Sequence, residues 1–190
     1  MFQLIVKIDL QKLYNYLAQP NQITHLDLSA TECCLDTAFG ALLRGCTQKL
    51  VHLNLSRNQF SSKKSHKEVN VPPSFKAFFT STVALKTLNL SSNRLPAEAL
   101  KAMLLGFACN EISTDVRIDL SSNELKSNGA TVLEFALGGI RCISGLDLSD
   151  NGFDLDVTNV INSIGKNKSI KYLSIGKNFN YIKPKYLLFS

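Results

Sequence analysis

Three histidines, His25, His52 and His66, are the side chains of this 190-residue sequence best suited to acid–base or metal chemistry. Two of them sit in matching phrases, "ITHLDLS" and "LVHLNLS", so adjacent parallel strands would bring His25 beside His52, with Asp27 diagonal to His52. A nucleophilic triad asks for more: a hydroxyl or thiol held by an imidazole that a third group orients. Two histidines and one aspartate on a flat sheet also fall short of a zinc site's ligand set. The sequence contains no G-x-x-x-x-G-K-[ST], no G-x-G-x-x-G after a strand and no H-E-x-x-H. No catalytic, cofactor-binding or metal-binding residue is therefore assigned, no cofactor is expected, and the chain does not read as an enzyme.

Thiol chemistry has no better footing. Cys33, Cys34, Cys46, Cys109 and Cys142 are odd in number and form no C-x-x-C. Neither end carries the disulfide-rich cap of secreted repeat proteins, so a reduced, cytoplasmic chain with its cysteines buried as small hydrophobes is expected. The start "MFQLIVKIDLQ" has neither a basic lead nor a small-residue cleavage site. No window approaches the roughly 18 apolar residues of a membrane span, so membrane contact can be peripheral only.

The elements that would carry these side chains are set by repetition. The phrase Leu-x-x-Leu-x-Leu-x-x-Asn-x-apolar occurs six times, at Ile23–Cys33, Leu50–Phe60, Leu85–Leu95, Asp115–Leu125, Ile143–Phe153 and Ile170–Asn180. Its Asn slot holds Thr31, Asn58, Asn93, Asn123, Asn151 and Asn178. In "LVHLNLSRNQF" the alternation of Leu53 and Leu55 with His52 and Asn54 predicts a short strand, leucines inward. Asn58 ends it, and stacking one Asn per repeat would satisfy loop peptide groups. Between strands, helical spacing recurs at Ala38-Phe39-Leu42-Leu43, Phe75-Phe78-Phe79, Leu100-Met103-Leu104-Phe107, Val132-Leu133-Phe135-Ala136 and Val157-Val160-Ile161-Ile164. The expected fold is an α/β leucine-rich repeat solenoid, a horseshoe of ribonuclease-inhibitor-like repeats about 28 residues long, with parallel strands concave and helices convex. With 45% hydrophobic and 19% charged residues the chain suits one ordered array spanning 1–190.

Residues 7–19 read as the convex helix of an earlier repeat, and the final "YIKPKYLLFS" stands where a helix should follow. A fragment or truncated isoform of a longer array is expected, with end-to-end self-association through uncovered core layers; a self-capping tail is the alternative. One insertion, 61–74, ends in Pro72-Pro73 and carries Lys63, Lys64, His66 and Lys67. This basic loop is either plainly solvated or a contact for acidic phospholipid or an acidic protein surface.

Binding is expected on the concave face. Its first column reads His25, His52, Thr87, Arg117, Gly145, Tyr172 and its central column Asp27, Asn54, Asn89, Asp119, Asp147, Ser174. That central column is mildly acidic in a chain of formal charge +6, so the basic groups must lie on loops, helices and tail. Candidate protein-binding residues are His52, Asn54, Asn89, Arg117, Asp119, Asp147 and Tyr172, with Arg117, Tyr172 and Arg57 as the anchors the face otherwise lacks. Repeated Asp, Asn and Ser are equally what a solvated sheet face would carry. Aromatic residues are not interleaved with a basic stripe, and Phe75, Phe78, Phe79, Phe107 and Phe135 sit at helix-core spacing, so nucleic acid is not expected.

Together, "LVHLNLSRNQFSSKK", "VPPSFKAFFTSTVALKTLNLSSNRLP", "IDLSSNELKSNGATVLEFAL" and "LDLSDNGFD" resemble the leucine-rich repeat region of the CARMIL proteins, the linkers of capping protein and myosin-I. The resemblance implies a cytosolic scaffold of the actin cytoskeleton, placed at the plasma membrane and lamellipodia, that regulates filament capping and cell migration. In that family a pleckstrin-homology-like domain precedes the array, and a disordered tail binds capping protein. No segment of this sequence matches either, so the implied role is scaffold and localisation. Repeats of this length also resemble those of small-GTPase activating proteins, where Arg57 or Arg117 would position catalytic groups. Ribonuclease-inhibitor-like or innate-immune binding modules share them too.

Overall fold

The computed structural model describes residues 9–61 and 70–179. Helices and strands alternate: α1 (Leu10–Leu17), β1 (His25–Asp27), α2 (Leu35–Gly45), β2 (His52–Asn54), α3 (Pro73–Ser81), β3 (Thr87–Asn89), α4 (Ala97–Ala108), β4 (Val116–Asp119), α5 (Lys126–Ala136), β5 (Ile143–Asp147), α6 (Val157–Lys166) and β6 (Tyr172–Ser174). The strands form one parallel sheet in chain order. Strand follows strand in the register of the repeat, so Leu53, Leu88, Ile118 and Leu146 stack into one buried row. α1 falls in the stretch expected to be an earlier repeat's helix. Lys63, Lys64, His66 and Lys67 of the insertion, the first eight residues and the tail from residue 180 lie outside the described residues.

The asparagine ladder holds the loops. Asn123 accepts the N–H groups of Asn93 at 3.1 Å and Leu95 at 3.0 Å, and donates to the carbonyls of Leu90 and Leu120, each at 2.9 Å. Asn58, Asn93, Asn151 and Asn178 continue the chain of contacts, and all are buried. The residue before each slot is left-handed without being glycine: Ala30, Arg57, Ser92, Ser122, Asp150 and Lys177 have φ between 53° and 57°. Each such backbone costs on the order of 1 kcal/mol, and the ladder's hydrogen bonds offset it.

A second set of asparagines, which the repeat phrase does not single out, works at the other end of the strands. Asn110 donates to the carbonyls of Phe79 and Thr82, and Asn167 to those of Leu137 and Ile140. Each satisfies the carbonyls of the preceding repeat where its helix ends, since a helix leaves its last carbonyls unpaired.

Phenylalanines fill the middle of the core. Phe39 meets Phe75 with centroids 4.6 Å apart, and Phe79 meets Phe107 at 5.0 Å. Phe135 departs from expectation: it is 83% exposed on α5, and Leu133 and Leu137 take the core positions. Ile161 on α6 is likewise 47% exposed while Val157 and Val160 turn inward. A 3-10 turn at Asp154–Asp156 leads directly into α6. Helical spacing alone leaves the phase of the buried stripe open by one residue, and docking on the sheet fixes it. The cysteines divide also. Cys33, Cys46 and Cys142 are buried, Cys34 is half-buried, and Cys109, at the end of α4, is exposed, contrary to the expectation of uniform burial.

Candidate interaction surface

The concave face is built by the outward residues of six three- to five-residue strands, so its columns are the registers of the sheet. At its N-terminal side His25 and His52 stack with ring centroids 4.3 Å apart. His52 Nδ1 is engaged with Thr87 Oγ1 at 2.7 Å, and His25 Nδ1 with Thr24 Oγ1 at 2.9 Å. Asn54 donates to Asp27 at 3.0 Å. The imidazoles and the carboxylate are thereby tied to hydroxyl and amide partners within the sheet.

The central column has a local task. Asp27, Asn54, Asn89, Asp119 and Asp147 each accept, through Oδ1, the N–H of the serine two residues on, at 2.8–3.1 Å. In Asn89, Asp119 and Asp147 the same oxygen also accepts the serine hydroxyl, at 2.6–2.8 Å. The recurrent "LDLS" and "LNLS" thus encode a turn at the strand's end. Ser29's N–H, followed by its hydroxyl, holds the Asp27 carboxyl below the ordinary carboxylate range, because both hydrogen bonds favour the charged form.

At the other side the face deepens into a groove of about 620 Å³ over β3 to β6. Arg117, Gly145 and Tyr172 stand in one row across β4, β5 and β6, and the Arg117 guanidinium lies 4.9 Å from the Tyr172 ring centroid. Gly145 makes this possible, since a Cβ there would lie 3.0 Å from Arg117 Cγ. The next row along holds Asn89, Asp119, Asp147 and Ser174. One bank of the groove is therefore cationic and aromatic and the other carboxylate, about 6.6 Å apart by strand rise. Lys171, at the open edge, pairs with Asp115 at 3.5 Å.

The structure brings five of the seven concave candidates, Asn89, Arg117, Asp119, Asp147 and Tyr172, to this groove, and leaves His52 and Asn54 outside it on β2. Arg57 is exposed in a loop, away from the lining. Lys63, Lys64 and Lys67 lie outside the described residues. Gly145 and Lys171 were not singled out. A glycine at an outward strand position beside an arginine was the available signal for the first.

A model of the CARMIL family's leucine-rich repeat domain matches residues 4–188. The chain belongs to the CARMIL family. Rat capping protein, Arp2/3 and myosin-I linker protein 3 is 51% identical over 175 residues, which are 92% of this chain and 12% of that protein. Mouse linker protein 2 is 41% identical over 168 residues, 88% of this chain and 13% of its own. Protein CARMIL of Dictyostelium discoideum is 33% identical over 175 residues, 91% of this chain and 16% of its own. This CARMIL chain thus spans about an eighth to a sixth of the length of the curated relatives it matches. Among solved structures, the C-terminal domain of tropomodulin from Caenorhabditis elegans superposes with a TM-score of 0.52, covering 84% of this chain and 93% of that one. At 12% identity the likeness is one of fold.

Proposed function

We propose that this CARMIL segment is a non-enzymatic protein-interaction scaffold within a regulator of actin-filament capping, and that it holds a protein partner in the concave groove between β3 and β6. The groove carries the reading: it gathers Arg117 and Tyr172, residue types that dominate binding energy, opposite the carboxylates of Asp119 and Asp147. The relatives are named for linking capping protein, Arp2/3 and myosin-I. By that kinship the parent protein acts in the cytoplasm on the actin cytoskeleton, at the plasma membrane of lamellipodia, in cell migration. Capping protein is engaged through a segment outside these 190 residues, so the array supplies partner choice and placement.

A pull-down from lysate tests this, comparing the chain with a form extended through its downstream sequence and with Arg117→Ala/Tyr172→Ala. Capping protein is expected with the extended form alone. An array partner is expected with both forms and lost in the double variant. The chain by itself should leave capped filaments capped in a pyrene-actin elongation assay; relief of capping would overturn the division of labour. Stimulated GTP hydrolysis by a captured GTPase, lost with Arg117→Ala, would replace this reading by the activator reading.

A further inference from the structure

One rung of the asparagine ladder differs chemically from the others. The residue after the slot is Glu32, Gln59, Arg94, Glu124, Gly152 or Phe179, so Asn151 alone is followed by glycine. Gly152 has φ 66°, a left-handed backbone that glycine adopts without strain. An Asn-Gly pair is the sequence most prone to succinimide formation, because no side chain shields the glycine nitrogen from the asparagine Cγ. Among the described residues no acceptor holds the Gly152 N–H. The other such pair, Asn128-Gly129, lies in the first turn of α5, where the Gly129 N–H is committed to the Leu125 carbonyl at 2.9 Å.

The ladder is what restrains Asn151. Its Nδ2 donates to the carbonyls of Leu120 at 3.0 Å, Leu148 at 2.9 Å and Ser149 at 3.2 Å. Its Oδ1 accepts the N–H of Asn123 at 3.0 Å and of Leu125 at 3.5 Å. The residue is 1% exposed. These contacts fix the side-chain torsions and keep water from the amide.

From this placement we infer that Asn151 is a deamidation site gated by the opening of its own rung. Once the rung opens, the Gly152 nitrogen loses its proton to solvent and bonds to Asn151 Cγ. The bond from Cγ to Nδ2 breaks, and Nδ2 leaves as ammonia with a proton taken from water. A water molecule then opens the imide ring at either carbonyl, giving aspartate or isoaspartate; nothing is oxidised or reduced. The change is one-way for the array. Aspartate at 151 turns the donor into a carboxylate oxygen facing three carbonyls, and a buried unpaired charge is costly. Isoaspartate adds a main-chain carbon to the loop that ends β5, the strand carrying Asp147 of the groove. The inference stands on the ladder and is independent of what the groove binds.

Incubation of the 190-residue chain at mildly alkaline pH in graded guanidinium chloride, followed by digestion and mass spectrometry, tests it. Fully unfolded, Asn151 and Asn128 should convert at least about tenfold faster than Asn58, Asn93, Asn123 and Asn178, and Gly152→Ala should remove that advantage at Asn151. In buffer Asn151 should convert at least about a hundredfold more slowly than in full denaturant, and its rate should climb with the fraction unfolded. Asn151→Asp should lower the urea midpoint well below that of Asn128→Asp, whose side chain is exposed. Conversion in buffer as fast as in denaturant, an unfolded-state rate at Asn151 no higher than at Asn93, or equal midpoints for the two aspartate variants would overturn the proposal.

Discussion

Arg117 reaches across Gly145 to lie over the Tyr172 ring at 4.9 Å, joining β4 to β6 above the strand that separates them. Gly145→Val should push the guanidinium off the ring, because its first added carbon already approaches Arg117 Cγ to 3.0 Å. The upfield ring-current shift of the Arg117 side chain in NMR is expected to vanish, while stability changes by less than about 1 kcal/mol, the scale of an exposed cation–π contact.

Asn123→Ala removes the partner of two buried N–H groups and two carbonyls at once. A loss of about 3 kcal/mol or more is expected in urea unfolding, since each buried group left unpaired costs about 1–3 kcal/mol. Asn89→Ala, which breaks only a half-buried turn with Ser91, should cost about 1 kcal/mol.

Leu133→Ala and Phe135→Ser separate the buried face of α5 from its exposed one. The first should cost about 2–5 kcal/mol by cavity formation. The second should change stability by no more than about 0.5 kcal/mol. Equal losses would mean that Phe135, at 83% exposure, is covered in solution.

Burial pushes the Cys142 thiol up to about 11, and the Cys33 and Cys46 thiols upward too. The folded state therefore favours the protonated thiols. Their contribution to stability is full below the unfolded thiol's pKa and is lost as pH rises from there through the folded value. Urea midpoints are expected to fall between about pH 8.5 and 11, and Cys142→Ala should flatten that decline. In timed alkylation at pH 8, exposed Cys109 should react first and Cys142 last.

Asp119→Asn and Asp147→Asn keep the oxygen that accepts from Ser121 or Ser149, so folding should change by less than about 0.5 kcal/mol. If these carboxylates steer a partner, its association rate should drop and lose salt dependence. An unchanged rate would restrict the two residues to their turn.

Much of the groove was legible before the fold. Register counting from "LVHLNLS" and its copies placed Arg117, Asp119, Asp147 and Tyr172 on one face, because parallel strands repeat their pleat from one unit to the next. His52 and Asn54 obeyed the same count yet lie outside the groove, which begins one strand further along at β3.

The sequence by itself determined the repeat, the strand of each repeat and the asparagine that ends it, since the period of two is local and each unit carries the same phrase; the amide's partners lie partly in the neighbouring repeat. Tertiary structure decided what depends on neighbours. Packing of the repeat chose Leu133 on α5 and Leu137 just after it over Phe135 as core. The serine N–H groups claimed the Asp and Asn column. Arg117 found Tyr172 two strands away. A helical period tolerates a shift of one residue, and a carboxylate's partner is not written in its own repeat, so such choices are made only when the repeats stack.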